Sequence, residues 1–239
     1  MRSSRIAASS GAADALRRAA SRYRDAGRFA RTYVAMKLRL DPVYADLLAL
    51  TAGERFGDVV DVGCGRGQLG VLLLEAGGAT SVLGLDWNDA HLRQGEKAAE
   101  GLAFRAARQD LMRDASVPAA DTVVLVDVLY QLDTAAQARL LRAAAAGARG
   151  RVLVRTADPA RGLRSAVTHG LEVLGRRTWP HAGARVNARP VDEIAAVLAA
   201  SGLAVELAPC WRGTPFANVL LVARRMQSVS SAGPAGASP

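Results

Sequence analysis

The 239-residue sequence predicts an α/β fold, a doubly wound, mostly parallel sheet of seven strands whose last strand runs antiparallel. Three observations carry that expectation. Short β-branched runs alternate with segments whose apolar residues recur at helical spacing. The first such run, Val59 to Val62, breaks into glycines at every second position before a helix opens at Leu69. The link between the last two runs, Ala208 to Pro215, is too short for a crossover helix, so that pair must be antiparallel.

The elements follow in order. From Asp14 to Leu40 the pattern is helical in two pieces broken near Gly27, with residues 1 to about 13 expected to be disordered. Leu16, Ala19, Ala20 and Tyr23 mark the apolar side of the first piece; Phe29, Tyr33, Met36 and Leu40 mark that of the second. Asp41-Pro42 caps the next helix, which turns Val43, Tyr44, Leu47 and Leu48 to the core. After the glycine turn a helix runs to about Ala76 and stops at Gly77-Gly78. Further strands are expected at Ser81–Leu85, Leu102–Ala107, Asp121–Val126 and Arg151–Arg155, with helices from Asp89 to Glu100 and from Thr134 to Ala146 between them. Residues 157–189 interrupt the alternation and are expected to face substrate. A helix at Pro190–Ala200 and strands at Leu203–Leu207 and Phe216–Ala223 complete the sheet, and a Ser/Ala/Gly/Pro tail follows over 226–239.

Composition narrows the function. No apolar run approaches the roughly 20 residues of a membrane span. Two cysteines, Cys64 and Cys210, make neither a disulfide framework nor a metal-ligand spacing, so no metal is expected and a reducing, cytoplasmic setting is the natural one. Residues 1–40 hold ten of the 31 Lys/Arg and two of the 22 acids, so +8 of the net +9 sits there. A basic arm on a neutral body disfavours nucleic acid as a partner and leaves a weak contact with an anionic membrane surface open. The preferred reading of the arm is a lid over the ligand crevice.

The glycine turn Asp61-Val62-Gly63-Cys64-Gly65-Arg66-Gly67 is a nucleotide-cofactor loop. Gly65 to Gly70 also satisfies the dinucleotide spacing, with Asp86 further along, so an NAD-dependent oxidoreductase is a rival reading. Three features count against it. Asp61 would repel an incoming pyrophosphate but suits a cation. Asp110 closes the third strand, where it can accept from an exocyclic amine. The final strand pair is antiparallel.

At these residues the chain resembles the class I S-adenosylmethionine-dependent methyltransferases over roughly 40–225. The resemblance implies the Rossmann-like fold of that family and S-adenosyl-L-methionine as cofactor. It also implies that Asp61, Gly63, Gly65 and Gly67 form the cofactor loop and Asp86 binds the ribose. Trp87 would lie on the adenine face, Asp110 and Leu111 would read the adenine edge, and Asp127 would lie beside the methionine moiety. The RLDPVY and GTPFANVLLVAR segments resemble methyltransferases of polyketide, fatty-acid and aryl-polyene biosynthesis. The chain then divides into a basic helical arm or lid (1–40), a methyltransferase domain (41–225) with an insertion at 157–189, and the tail. The expected acceptor is small or carrier-linked and partly apolar, methylated at oxygen. A nucleic-acid methyltransferase and a degenerate, non-catalytic methyltransferase-like domain compete with that expectation. Tyr130, His169 and His181 are the catalytic candidates, and His91 is placed away from the crevice.

Overall fold

The computed structural model describes residues 2–159, 187–215 and 217–226, the first nine of these by backbone alone. Two helices open the chain, α1 (Arg2–Ser21) and α2 (Arg28–Leu40), followed by α3 (Pro42–Gly53). Next come β1 (Asp58–Val62), α4 (Gln68–Glu75), β2 (Ser81–Asp86), α5 (Asp89–Ala98), β3 (Phe104–Arg108), β4 (Ala120–Val126), α6 (Thr134–Gly147) and β5 (Ala148–Ala157). The chain closes with α7 (Val191–Ala200), β6 (Leu203–Pro209) and β7 (Asn218–Arg225). The stretch expected to be disordered before residue 14 is instead the first half of α1, whose frequent alanines cost little side-chain entropy in a helix.

The seven strands form one sheet in the order β3-β2-β1-β4-β5-β7-β6. The first five strands pair in parallel, and β7 is antiparallel to both β5 and β6, as the short final link requires. Strand alternation divides the apolar side chains between two faces. On one face Val60, Val62, Val123 and Leu125 join Leu140 and Leu141 of α6 and Ile194 and Leu198 of α7. On the other, Val59, Val124 and Leu153 meet Leu72 and Leu73 of α4, Leu47 of α3, Ala15 and Ala19 of α1, and Val34 of α2. The N-terminal helices therefore complete the second layer rather than projecting from the molecule.

Inward residues of α1 and α3 match the periodicity, but those of α2 do not. Ala30, Val34 and Leu38 are buried, whereas Phe29, Met36 and Leu40 are 71%, 55% and 59% exposed. The arm is pinned by its own charge. Arg18 and Arg22 both pair with Glu75 at the end of α4, and Arg22 also donates to the carbonyls of Ala98 (3.2 Å) and Glu100 (2.9 Å) beyond α5. A guanidinium there meets the unsatisfied carbonyls of a helix C-terminus.

Candidate cofactor and methyl-transfer site

At the C-terminal ends of β1 and β2 the backbone folds into a cradle. Gly63, Gly65 and Gly67 have φ of 75°, 57° and 70°. The outer two are packed: a Cβ on Gly63 would stand 2.6 Å from Val128 Cγ2, and one on Gly67 would stand 2.8 Å from Phe104 Cζ. A Cβ on Gly65 would meet nothing within 4 Å. The cradle is open at that residue, where a ligand can lie against bare backbone.

Two acids line it. Asp86 Oδ2 accepts the Gly65 N–H at 2.9 Å and Oδ1 accepts the Asn88 N–H at 2.9 Å. Each oxygen keeps a lone pair for a further donor. Asp61 lies on the Val59 face of β1, 3% exposed, and its Oδ2 is buried with no hydrogen-bond partner. Burial, and then the neighbouring Asp86 charge, push its pKa up to about 7. A buried acid without a cation is costly, and a cationic ligand placed here would relieve that cost. Beside Asp86, Trp87 is 41% exposed. Asp110 stands at the surface beyond β3, accepting the Met112 N–H at 3.1 Å and pairing with Arg113 at 3.4 Å, while Leu111 behind it is buried.

His91, placed by sequence away from the crevice, belongs to its surroundings. It is half-buried in the first turn of α5, and burial and the Arg66 charge hold its pKa below the usual value against the opposing effect of Asp86. Helix α5 starts three residues after Asp86, which brings its first turn back to the cradle.

The β4 end is differently built. Asp127 has φ 59°, and it is the one non-glycine with positive φ among the described residues. Its carboxylate takes Arg155 Nη1 and, at 3.4 Å, Lys37 Nζ. Arg155 Nη2 bonds Asp41 Oδ1 at 3.1 Å, and Lys37 Nζ bonds Asp41 Oδ2 at 2.8 Å. Two acids and two bases from α2, α3, β4 and β5 thus close a ring. Burial opposes the charges of Lys37, Asp41 and Arg155, yet their partners prevail: Lys37 and Arg155 are held above their ordinary pKa values and Asp41 below its own. Tyr130 follows on a one-turn 3₁₀ helix (Leu129–Gln131), its carbonyl accepting the Asn187 N–H at 2.9 Å. His169 and His181 lie outside the described residues.

The arm grips the cradle directly. Tyr23, fully buried, donates its hydroxyl to the Arg66 carbonyl at 2.7 Å. The Arg66 guanidinium lies 5.8 Å and 5.2 Å from the ring centroids of Phe29 and Tyr33. Sequence reading missed Tyr23, Arg66, Lys37 and Arg155 as contributors. The Lys37/Asp41 spacing of four residues and a charge at the end of an apolar strand were the signals available.

Residues 59–149 match the methyltransferase domain family. Among solved structures the chain is similar to an O-methyltransferase family protein from Burkholderia thailandensis, at TM-score 0.63 and 21% identity, covering 82% of this chain and 58% of that one. It is also similar to magnesium protoporphyrin IX methyltransferase from Synechocystis PCC 6803 with bound S-adenosylhomocysteine, at 0.61 and 22%, covering 86% and 94%. A third is the N-methyltransferase NodS from Bradyrhizobium japonicum WM9 with the same ligand, at 0.55 and 16%, covering 77% and 85%. At these identities the likeness is one of fold. The chain spans little more than half the length of the Burkholderia protein. No curated protein matches the sequence.

Proposed function

We infer, from the premise that the chain is a class I S-adenosylmethionine-dependent methyltransferase, that it methylates an oxygen of a small or carrier-linked, partly apolar acceptor. The observation that carries the cofactor assignment is Asp61 Oδ2, a buried acid with no protein partner, beside the opening at Gly65. The O-methyltransferase family protein among the similar structures supports an oxygen acceptor, and the porphyrin methyltransferase supports one of small-molecule size.

In this reading Asp86 holds the ribose and Trp87 covers the adenine, with Asp110 and Leu111 at its edge. Asp61 lowers the free energy of the positively charged ligand. When bound, S-adenosylmethionine supplies a methyl group on a positively charged sulfur that is neutralised as the acceptor attacks. The protein's work is therefore alignment and exclusion of water. Tyr130, on the turn after β4, orients the acceptor oxygen, and the arm acts as a lid through Tyr23 and the Phe29/Tyr33 stack on Arg66.

Thermal unfolding tests the cofactor. S-adenosylhomocysteine at a hundred times its Kd stabilises a folded protein by about 2.7 kcal/mol. That shift is expected here, with none from NAD, and with most of it lost in Asp86→Ala. A shift with NAD alone would overturn the assignment.

A further inference from the structure

We propose that Lys37, on the N-terminal helix α2, is a positioning residue of the methyl-transfer site: acting through Asp127, it sets the turn after β4 against the cofactor. The proposal rests on the cofactor assignment above and extends it to a residue 90 positions away from the one it acts on.

The backbone of the turn is held by bonds within it and by Asn187, and Val128 and Leu129 are buried beneath it; the Asp127 side chain ties it to the arm. Asp127 occupies the left-handed region, which costs a residue with a Cβ about 1 kcal/mol or more and persists only where the surroundings over-determine it. Its N–H donates to the Arg155 carbonyl at 3.2 Å and its carbonyl accepts from Gln131 Nε2 at 2.7 Å, so strain and turn are locked into one unit. The side chain fixes the direction of that unit. Its Oδ2 sits between Arg155 Nη1, an immobile partner within the sheet, and Lys37 Nζ, delivered from the arm. Lys37 is held in turn by Asp41, one helical turn on, which Arg155 also binds. Every member is thus fixed by two others. The ring carries no net charge, and its acids do not compete with Asp61 and Asp86 for the cationic ligand.

A neutral ring could serve folding alone, and the variants separate the two roles. Lys37→Met leaves two buried carboxylates facing one guanidinium. Asp127→Asn retains the backbone, because Asn tolerates positive φ. In the double variant Lys37→Met/Asp127→Asn, Asp41 and Arg155 again balance. Titration calorimetry with S-adenosylhomocysteine and thermal unfolding are measured on the full chain for each. Lys37→Met is expected to lower the melting temperature and raise Kd about tenfold, the equivalent of 1.4 kcal/mol. The double variant should regain much of the melting temperature while Kd stays raised, and Lys37→Arg should restore most of the affinity. Recovery of Kd together with stability in the double variant, or wild-type affinity in Lys37→Met, would reduce Lys37 to charge balance and overturn the proposal. If the wild type binds no S-adenosylhomocysteine, the cofactor assignment fails first and takes this proposal with it.

Discussion

The two halves of the crevice use the same residue type in opposite ways. At the ends of β1 and β2, Asp61 and Asp86 lie in no ion pair among the described residues, and one carboxylate oxygen is wholly unpartnered. At the ends of β4 and β5, Asp127 is matched with Asp41, Lys37 and Arg155 into a closed, neutral ring. The first half leaves a buried acid without a base, an arrangement that suits a cationic ligand. The second is already satisfied and can only hold a shape. An acid at a strand end is thus not one kind of signal; its meaning depends on whether the fold supplies a base.

The contrast breaks most visibly at Arg155. It is 4% exposed and carries a bond to each acid of the ring. Arg155→Met leaves those carboxylates with Lys37 alone, and removing one partner of a buried ion pair typically costs about 3–5 kcal/mol. For a chain of this size each kcal/mol is worth roughly 2–4 °C in Tm. A fall of at least about 6 °C by calorimetry is therefore expected on that scale. A change within one degree would mean that the ring does not hold the β4 end.

The other half should respond in the reverse sense. The folded-state pKa of Asp61, about 7, lies above the ordinary carboxylate value, so folding takes up a proton. That contribution to stability is complete at acid pH and is lost as pH rises through 7. Asp61→Asn removes the loss. The unliganded variant should be more stable than wild type at pH 8, by on the order of 2 kcal/mol once the cost of burying an amide is subtracted. Its affinity for S-adenosylmethionine should fall. In the wild type that affinity should improve between pH 5.5 and 7, approaching about tenfold per pH unit, and level off above, because the cation selects the ionised acid. The Asn variant should show a flat profile. A flat wild-type profile would place Asp61 outside the site.

Much of the first half is legible in the sequence because its determinants are local. Asp61 and the glycines lie within seven residues, and Asp86 ends the next strand. The short final link gives the antiparallel pairing of the last two strands, whereas the order of the strands comes from the structure. The second half is not legible, because three of its four pairs are separated by 28, 90 and 114 residues and nothing in Arg155 alone says what it meets. Helix α2 shows a further limit. It carries two apolar stripes, and size favours Phe29, Tyr33, Met36 and Leu40 for the core. The structure buries the smaller Ala30, Val34 and Leu38, and Lys37 and the stack on Arg66 fix the helix in that rotation. His91 was misplaced for a similar reason, since its helix returns to the cradle it follows.

Tyr23 offers the finest test, because it joins the arm to the binding half by one hydrogen bond. Its hydroxyl is the donor to the Arg66 carbonyl, and burial raises its pKa well above the ordinary value, so it remains a donor at any working pH. Tyr23→Phe keeps the ring and its packing and deletes only that bond. Leaving a buried carbonyl without its donor costs about 1 kcal/mol or somewhat more. If the arm were only a packed layer, that loss would appear in Tm and leave ligand affinity unchanged. If the arm steadies the cradle, part of it should appear as a rise of roughly threefold in the Kd for S-adenosylhomocysteine, with faster hydrogen exchange confined to residues 63–68. The arm contributes to binding only if the second pattern is found, and a loss of Tm with unaltered Kd would limit it to a structural layer.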